Sequence, residues 1–496
     1  MLHYWGIMPT TAIRVVSTTV ALLAALAACA PAAGTTTVVG SVVGSGEFSW
    51  LPGDHHVHSR YSVGWNNDSS PPAPIIGGDA IYPIPMNALM GKTHGLRWMV
   101  ATDHGGPNHS KVNLERAWPE LVLARRAVPE VIQFYGMELD TPGADHSSII
   151  MPHTHDEAEH LQTLESRFSR RDAWPPDTTR DRPSRMLDAL KAMRDMPLPP
   201  VVIAHHPSRS ATGVGIWGAT DAAELRDWND AAPNVAVGME GSPGHQATAV
   251  NRDGSSRPNG ARGGYTRSPT MGGFDQMTAI VGGFWDSMLG EGRRWWITAN
   301  SDSHRHWREG GGDFWPGEYS KTWVWARPDH ASVLDGIRTG RVFVTLGDLI
   351  TGLHVTARVA GGPAVAEIGG TLDVPRGSDV EIVIRWRDTD ARNAHGDNPS
   401  VARLDVITGR VTGSAADRTT ARNPSTVVAA RIQAAESRRD GEWRIVSWRL
   451  NQVEADAYLR VRGTNGLELE PAADPRGEDP WSDLWFYSNP IFIRVR

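Results

Sequence analysis

Histidine and acidic side chains follow a series of short apolar runs between Gly53 and His304. Six segments have this pattern: GDHHVHS, WMVATDH, QFYGMELD, VVIAHHPSR, VAVGMEG and WWITANSDSH. Strands that each end in ligand-type side chains are how a parallel barrel brings several ligands to one face. Imidazole and carboxylate together suit zinc, manganese or iron. The pattern therefore predicts a hydrolase built around bound metal ions.

The spacing of the first segment favours a shared ion. His56 and His58 are two apart in a predicted strand, so both side chains project to one face, while His55 and Val57 face the other way. One such pair is a weak signal, but Asp302 repeats the spacing with His304. The full set of predicted metal ligands is His56, His58, His104, Glu138, His146, His206, Asp302 and His304.

Helical patterns separate these apolar runs. Apolar residues three and four apart predict helices over 112–127, 157–168, 184–196 and 330–339. Asp329 and Ser332 lie where the last helix needs caps, and Gly340 lies where it should stop. Strand and helix in alternation indicate crossovers and a parallel sheet, hence an α/β barrel over 48–348. The Gly- and Pro-rich stretch 241–273 is predicted to be a long loop over the barrel mouth.

The region 349–496 has a different residue pattern. Period-two runs such as DVEIVIRWRD and EWRIVSWRL alternate with turn residues, which is typical of an antiparallel β-sandwich. No ligand-type cluster recurs in this region. We expect it to be a packing or positioning module.

The N-terminal segment resembles an export signal. Residues 17–28 are small or apolar and precede Cys29, the single cysteine, as in a bacterial lipoprotein signal whose cysteine becomes lipidated. We therefore expect a signal peptide over 1–28, a flexible tether over 29–47, and an exported, membrane-anchored protein, facing the periplasm. The alternative is an ordinary secretory peptide with an incidental cysteine.

The charge composition limits the classes of binding partner to be expected. The 496 residues include 56 acidic and 49 basic side chains, well interspersed, giving a net charge of −7. Without a basic stripe, a nucleic-acid polymer is excluded as the main partner, and a small-molecule substrate is expected. Most of the 20 tryptophans are expected to pack in the core, and a few to line an apolar substrate pocket.

The ordered motifs GDHHVHS, TDH, a strand-terminal Glu followed by His, HP and SDSH resemble those of the PHP (polymerase and histidinol phosphatase) superfamily. The resemblance covers roughly 53–346. It implies a distorted seven-stranded α/β barrel that binds two or three divalent ions and acts on phosphate esters. DGIRTGRVFVT and WFYSNPIFI resemble the exported branch, which adds a C-terminal β domain and includes hydrolases of carbamates and carboxylic esters.

The resemblance also implies how the ligands divide. Its first ion would be held by His56, His58, Glu138 and Asp302. Glu138 would bridge to a second ion with His146 and His206, and His104 and His304 would serve a third. Asp103, beside His104, would be the carboxylate that orients it.

Two departures from the family pattern affect these assignments. Ser62-Val63-Gly64 stands where many members have a ligand, and valine cannot ligate, so the third ion requires Asp68 or another loop residue. The HP motif is doubled as His205-His206-Pro207. We favour His206 as the ligand because the family places its ligand directly before proline, with His205 as the alternative and a supporting residue.

The expected catalytic residues are Asp302, His206 and Arg209. A hydroxide bridging two ions is the expected nucleophile, because coordination lowers the pKa of water to about 7. Arg209 is the best candidate for binding a phosphoryl oxygen. Arg60 and Lys92 are weaker candidates, and Tyr61, next to Arg60, is a candidate hydroxyl donor. The alternative for each basic side chain is a surface ion pair with a nearby carboxylate.

Three functions remain open. The first is a phosphoesterase, preferably a phosphodiesterase, because the aromatic surroundings suit an organic substituent. The second is a hydrolase of carbamates or carboxylic esters that uses the same ions. The third is a non-catalytic lipoprotein that binds metal or a surface glycan.

Overall fold

The computed structural model describes residues 46–389 and 391–496. These residues belong to one compact unit, Val43–Arg496. The predicted signal, the lipidation residue Cys29 and most of the predicted tether lie outside the described residues. In the described part of the chain, no helix has the length and hydropathy needed to span a membrane.

The N-terminal region alternates strands and helices. Its strands are β1 Ser49–Val57, β2 Gly64–Asn66, β3 Ala73–Ile75, β4 Trp98–Ala101, β5 Ile132–Asp140, β6 His146–Ile150, β7 Val201–Ala204, β8 Ala236–Ser242, β9 Trp296–Ala299, β10 Ser320–Ala326 and β11 Val342–Leu346. Its helices are α1 Ile84–Thr93, α2 His109–Val112, α3 Trp118–Ala127, α4 Glu157–Phe168, α5 Pro183–Arg194, α6 Ala222–Ala231, α7 Gln276–Ala279, α8 Phe284–Gly290 and α9 His330–Arg338.

The four helices predicted from periodicity are confirmed. The predicted segment 157–168 is α4, and α5 begins one residue earlier than predicted. The segment 112–127 is α3 preceded by a π-helical turn, Asn113–Ala117. The side chain of Asp329 caps α9 by accepting a hydrogen bond from the Ser332 amide at 2.8 Å.

The large sheet is mixed, whereas the sequence predicted a parallel sheet. Strands β1, β4 and β5 are parallel neighbours, and so are β7, β8 and β9. Between these sets β6 runs antiparallel to both β5 and β7, because a short turn folds it directly back on β5. The end of β1 also meets the chain after β9, where the His58 amide donates to the Ser303 carbonyl at 3.1 Å.

The C-terminal region consists of strands. They are β12 Gly352–Val359, β13 Val365–Glu367, β14 Thr371–Val374, β15 Ser378–Arg387, β16 Arg403–Arg410, β17 Val427–Gln433, β18 Arg438–Asp440, β19 Trp443–Val453, β20 Ala457–Thr464, β21 Trp485–Ser488 and β22 Ile491–Val495. Strands β13, β12, β15, β19 and β18 form a separate five-stranded antiparallel sheet. The others join the large sheet, in which β21 pairs with β11.

The stretch 241–273 is mostly irregular, as predicted, with two 3-10 turns at Gln246–Ala249 and Arg262–Gly264. Buried Arg262 fastens it to the C-terminal region by donating to Asp483 at 2.7 Å and to Glu478 at 3.1 Å. This anchorage fixes the loop that begins beside the candidate site.

Candidate metal centre

Two histidines at the end of β1, His56 within the strand and His58 just after it, have rings that converge. The Nε2 atoms of His56 and His58 lie 2.8 Å apart, and both residues are 0 % exposed. Two facing ring nitrogens can share one proton, or both can direct lone pairs at a cation. The two ligand atoms therefore lie close together, as the HxH spacing predicts.

Glu138 in β5 and Asp302 after β9 meet the same pair. The Nε2 of His56 lies 3.3 Å from Glu138 Oε1 and 3.2 Å from Asp302 Oδ1, and the Nε2 of His58 lies 3.5 and 3.0 Å from oxygens of the same two residues. Four ligands held about 2.0–2.1 Å from a tetrahedral ion are separated by about 3.3 Å. These buried atoms therefore have the spacing of one coordination sphere.

A second group shares the carboxylate of Glu138. Its Oε1 lies 3.0 Å from His146 Nδ1 and 3.2 Å from His206 Nε2. The backbone of His206 is left-handed, with φ of 26°, and that of Asp302 has φ of 46°. Such conformations are disfavoured for both residue types and persist where the surroundings enforce them. Two predicted ligands are thus aimed by strained turns at the ends of β7 and β9.

The doubled histidine of the HP motif points both rings at Glu138. His205 Nδ1 lies 2.8 Å from Glu138 Oε1, and its Nε2 contacts the Ser148 hydroxyl, so both of its ring nitrogens are engaged. His206 reaches the same oxygen with Nε2, while its Nδ1 has no hydrogen-bond partner within the described ranges. His205 has both ring nitrogens in hydrogen bonds and His206 has only one, which favours His206 as the ligand.

A third group lies at the more exposed side, and it includes a residue that the sequence analysis missed. His58, His104 and His304 have ring nitrogens within 4.8 Å of one another. Asp79, in the loop between β3 and α1, places Oδ2 3.0 Å from His104 Nε2 and 3.4 Å from His304 Nε2. Asp68, the substitute named from sequence, instead lies exposed on the β2–β3 turn.

Two further acids hold the predicted ligands from behind. Glu240, at the end of β8, lies 2.7 Å from His56 Nδ1 and accepts a hydrogen bond from the His206 amide at 2.5 Å. Asp140 lies 3.4 Å from the Nε2 of His146. Both acids stand at the ends of apolar runs, VAVGMEG and QFYGMELD, and this position is the signal in the sequence that could identify them.

The loop after β8 adds one more histidine that the sequence analysis did not select. His245 Nε2 lies 2.9 Å from Asp302 Oδ2, and its Nδ1 lies 2.5 Å from Asp313 Oδ1. Its backbone also has a positive φ, 54°. His245 and Asp313 therefore fix the carboxylate of Asp302 from its outer side.

The expected role of Asp103 is corrected. Its carboxylate accepts hydrogen bonds from the Ser59 amide and hydroxyl, both at 2.6 Å, and from the Ser62 hydroxyl at 3.0 Å. Ser62 Oγ in turn lies 2.7 Å from His58 Nδ1. Asp103 therefore supports His58 through Ser62, and His104 Nδ1 has no partner in the part of the chain that is described.

Of the four predicted substrate-binding residues, Arg209 adjoins the metal groups. Its guanidinium donates to Asp145 at 3.1 Å, and Asp145 Oδ2 lies 3.6 Å from His206 Nδ1. The other three have the surface alternative: Arg60 pairs with Glu120 and contacts the Tyr61 hydroxyl, and Lys92 pairs with Glu130. In the described part of the chain, the side chains of Arg60, Tyr61 and Lys92 form no hydrogen bond or ion pair with the predicted metal ligands.

Electrostatics keep the central acids ionised. Burial raises the pKa of Glu138, but the charges of His146 and His56 outweigh it and hold that pKa well below its usual range. Burial also raises the pKa of Asp302, and His245 and His56 hold it well below its usual range. Burial lowers the pKa of His146, whereas Glu138 and Asp140 raise it more, to about 10. Without an ion, protons on histidine balance the acids.

These buried histidine and glutamate clusters could hold a metal ion. Asp302 Oδ1 lies 3.0 Å from His58 Nε2 and His146 Nδ1 lies 3.0 Å from Glu138 Oε1, but among the residues described neither buried atom forms a well-directed hydrogen bond. A bound cation would satisfy both atoms. The residues present therefore fit divalent ions. No family profile, curated protein or solved structure matches the chain.

Proposed function

We propose that the protein is a metal-dependent phosphoesterase, with small organic phosphate diesters as its preferred substrates. The observation that carries the proposal is the convergence of His56, His58, Glu138 and Asp302, whose facing atoms lie 2.8–3.5 Å apart. The order of the motifs along the chain, which resembles that of the PHP superfamily, supports the same assignment. So does the strained backbone at His206 and Asp302.

The finer architecture is part of this proposal. We infer that β1 and the following strands of the large sheet form a distorted seven-stranded barrel whose strand ends carry the site. The bridge between Val57 and Ser303 supports closure between its first and last strands. The C-terminal strands are inferred to form a β-sandwich, with the boundary between the two domains near 348.

The proposed ligands form three groups that share residues. The first is His56, His58, Glu138 and Asp302; the second is Glu138, His146 and His206; the third is His58, His104, His304 and Asp79. Zinc, manganese and iron match these ligand types. Bound divalent ions would supply Lewis-acid stabilisation of charge and an acidic water at neutral pH. The protein holds the carboxylates ionised, and Asp145 orients Arg209 toward a phosphoryl oxygen.

A second candidate is the hydrolysis of a carbamate or carboxylic ester. The guanidinium of Arg209 already neutralises Asp145, so its positive charge is partly balanced before any substrate binds. An arginine paired with a carboxylate attracts an anionic phosphate less strongly than an unpaired arginine would. The ion pair between Arg209 and Asp145 therefore favours a substrate with a neutral carbonyl. The two candidates differ in the charge of the substrate.

Three chromogenic substrates separate the candidates. Purified protein with manganese or zinc is expected to hydrolyse bis-p-nitrophenyl phosphate faster than p-nitrophenyl phosphate and p-nitrophenyl acetate. Fastest turnover of the acetate would replace the phosphoesterase with the second candidate. Inactivity on all three, with stoichiometric metal bound, would contradict both and support a metal-binding lipoprotein.

Replacement of Arg209 sharpens this test. Arg209→Ala is expected to weaken transition-state binding of the phosphate diester by about 2–4 kcal/mol and leave the metal content intact. Lys92→Ala is the matched control, because its exposed pair with Glu130 has no contact with the metal groups. Equal losses on the diester and the neutral acetate would show that Arg209 acts through folding.

We also propose export and lipid anchoring through Cys29. Cys29→Ser is expected to move the protein from the membrane fraction to the soluble fraction. Retention in the membrane fraction would contradict the lipid anchor.

A further inference from the structure

A chain of buried polar side chains leads to the carboxylate of Glu138. It begins at Thr298 in β9, continues through His55 in β1 and Ser148 in β6, and ends at His205 after β7. Thr298 Oγ1 lies 2.8 Å from His55 Nε2, and His55 Nδ1 lies 3.1 Å from Ser148 Oγ. Ser148 Oγ contacts His205 Nε2, and His205 Nδ1 lies 2.8 Å from Glu138 Oε1. All of these side chains are buried.

With both rings neutral, each link in this chain has one possible direction. An ionised carboxylate only accepts, so His205 must carry its proton on Nδ1 and donate it to Glu138. The Nε2 of His205 is then an acceptor and takes the single hydroxyl proton of Ser148. Ser148 can therefore only accept from His55, whose Nδ1 must carry the proton. The Nε2 of His55 then accepts from Thr298.

These residues form a hydrogen-bond network and do not require an ion of their own. Ligand-type atoms of His55, His205 and Glu240 do lie within 4.8 Å of one another. However, each ring nitrogen of the two histidines already has a hydroxyl or carboxylate partner. Glu240 is engaged by His56 Nδ1 and by the His206 amide.

We propose that His205 is a positioning residue for Glu138, and that Thr298, His55 and Ser148 fix the His205 tautomer that donates to it. This inference rests on the metal-binding role proposed for Glu138. The same Oε1 atom faces His56, His146 and His206, so a rotation of the carboxylate would disturb two ligand groups together. The His205 ring also stacks on His56, with centroids 3.6 Å apart, and so restrains a second ligand.

The first test compares two replacements of His205. His205→Leu removes the donor, whereas the amide of His205→Asn can place an N–H near the original Nδ1. Zinc affinity, measured by competition with a chelator, is expected to fall about 10- to 100-fold in the leucine variant and to recover largely in the asparagine variant. Circular dichroism reports whether each variant is folded. Equal weakening in both variants, or unchanged affinity in the leucine variant, would overturn the proposal.

Ser148→Ala tests the upstream half of the chain. Without the hydroxyl, His205 Nε2 has no donor, and the ring can adopt the tautomer that does not donate to Glu138. Zinc affinity is expected to fall less in Ser148→Ala than in His205→Leu. The loss of affinity in Thr298→Val is expected to be smaller than in Ser148→Ala. A loss in Thr298→Val that exceeds the loss in Ser148→Ala would contradict the order of the chain.

The second test needs no substitution. Nitrogen-15 NMR of histidine-labelled protein is expected to show protonated Nδ1 and unprotonated Nε2 on both His55 and His205, with zinc and without it. A proton on His205 Nε2 would overturn the proposal. Failure of the proposed function is distinguishable, because wild-type protein that binds no zinc would contradict the metal site, whereas the tautomers of the ion-free protein report on the chain alone.

Discussion

Buried carboxylates have different partners in two regions of the molecule. At the candidate site, Glu138 and Asp302 face histidine nitrogens. Where α8 meets β20, Asp286 faces Arg460, which donates from Nε at 2.9 Å and from Nη2 at 2.8 Å, with both side chains fully buried. An arginine is always charged and only donates, so it satisfies a carboxylate fully. A neutral histidine can also offer a lone pair to a cation, so Glu138 and Asp302 lie in a group that could hold an ion, whereas Asp286 is already paired with a permanent charge.

The largest expected effect is at the histidine-paired acid. Asp302→Ala is expected to lose at least one equivalent of metal and all detectable hydrolysis, because its Oδ1 faces both His56 and His58. Metal analysis and the diester assay measure the two losses. Unchanged metal content in the folded variant would refute the assignment of Asp302.

The arginine-paired acid is the structural counterpart. Asp286→Ala leaves Arg460 as an uncompensated buried charge, so the free energy of unfolding is expected to fall by about 3–5 kcal/mol. Metal bound per folded molecule is expected to stay the same. A denaturant titration and metal analysis of the folded fraction check both points. Loss of metal from folded Asp286→Ala would remove the contrast between the two regions.

Protons and metal ions are expected to compete for the histidine nitrogens of the candidate site. The arginine-paired region offers no such lone pairs. The pKa of His146 is raised to about 10 in the ion-free protein, so below that pH its proton must leave when an ion binds. Zinc affinity is therefore expected to rise with pH by about tenfold per unit for each proton displaced. Calorimetry between about pH 6 and 8, in buffers of different ionisation enthalpy, counts the protons. Affinity independent of pH would contradict coordination by His146.

The smallest expected effect is at the exposed edge of the site. Asp79→Asn is expected to weaken one ion about tenfold and leave the more buried ions bound, because Asp79 contacts only His104 and His304 within this centre. Asp68→Asn is the control, since Asp68 lies on the exposed β2–β3 turn. Equal behaviour of the two variants would exclude Asp79 as a ligand.

The sequence predicted the local parts of the structure best. Period-two alternation predicted strands such as β15, because every second residue along it is buried. The HxH spacing predicted the convergence of His56 and His58, because side chains two apart in an extended chain project to the same face. The direction of β6 could not be predicted, since an apolar run has the same composition in either orientation and the short turn after Asp140 decides it.

Some site residues that the sequence did not predict lie in loops, and the course of the loop backbone brings them to the site. Asp79 lies in a loop with no periodic pattern, and only tertiary contacts bring it to His104. Asp103 was assigned to its sequence neighbour, whereas the turn after β1 places Ser59 and Ser62 against its oxygens. Predicting such contacts requires the backbone of the turn, which spacing alone does not determine.

Strand β1 pairs with β4 on one side and with β10 on the other, and its end meets Ser303. One coordination sphere thus draws on residues from His56, near the start of the described chain, to Asp302, far beyond it. A ribosome completes most of the polypeptide before the last of these groups exists. The first ligand group is therefore complete only after long-range assembly, and chains that end before Asp302 are expected to bind no ion there.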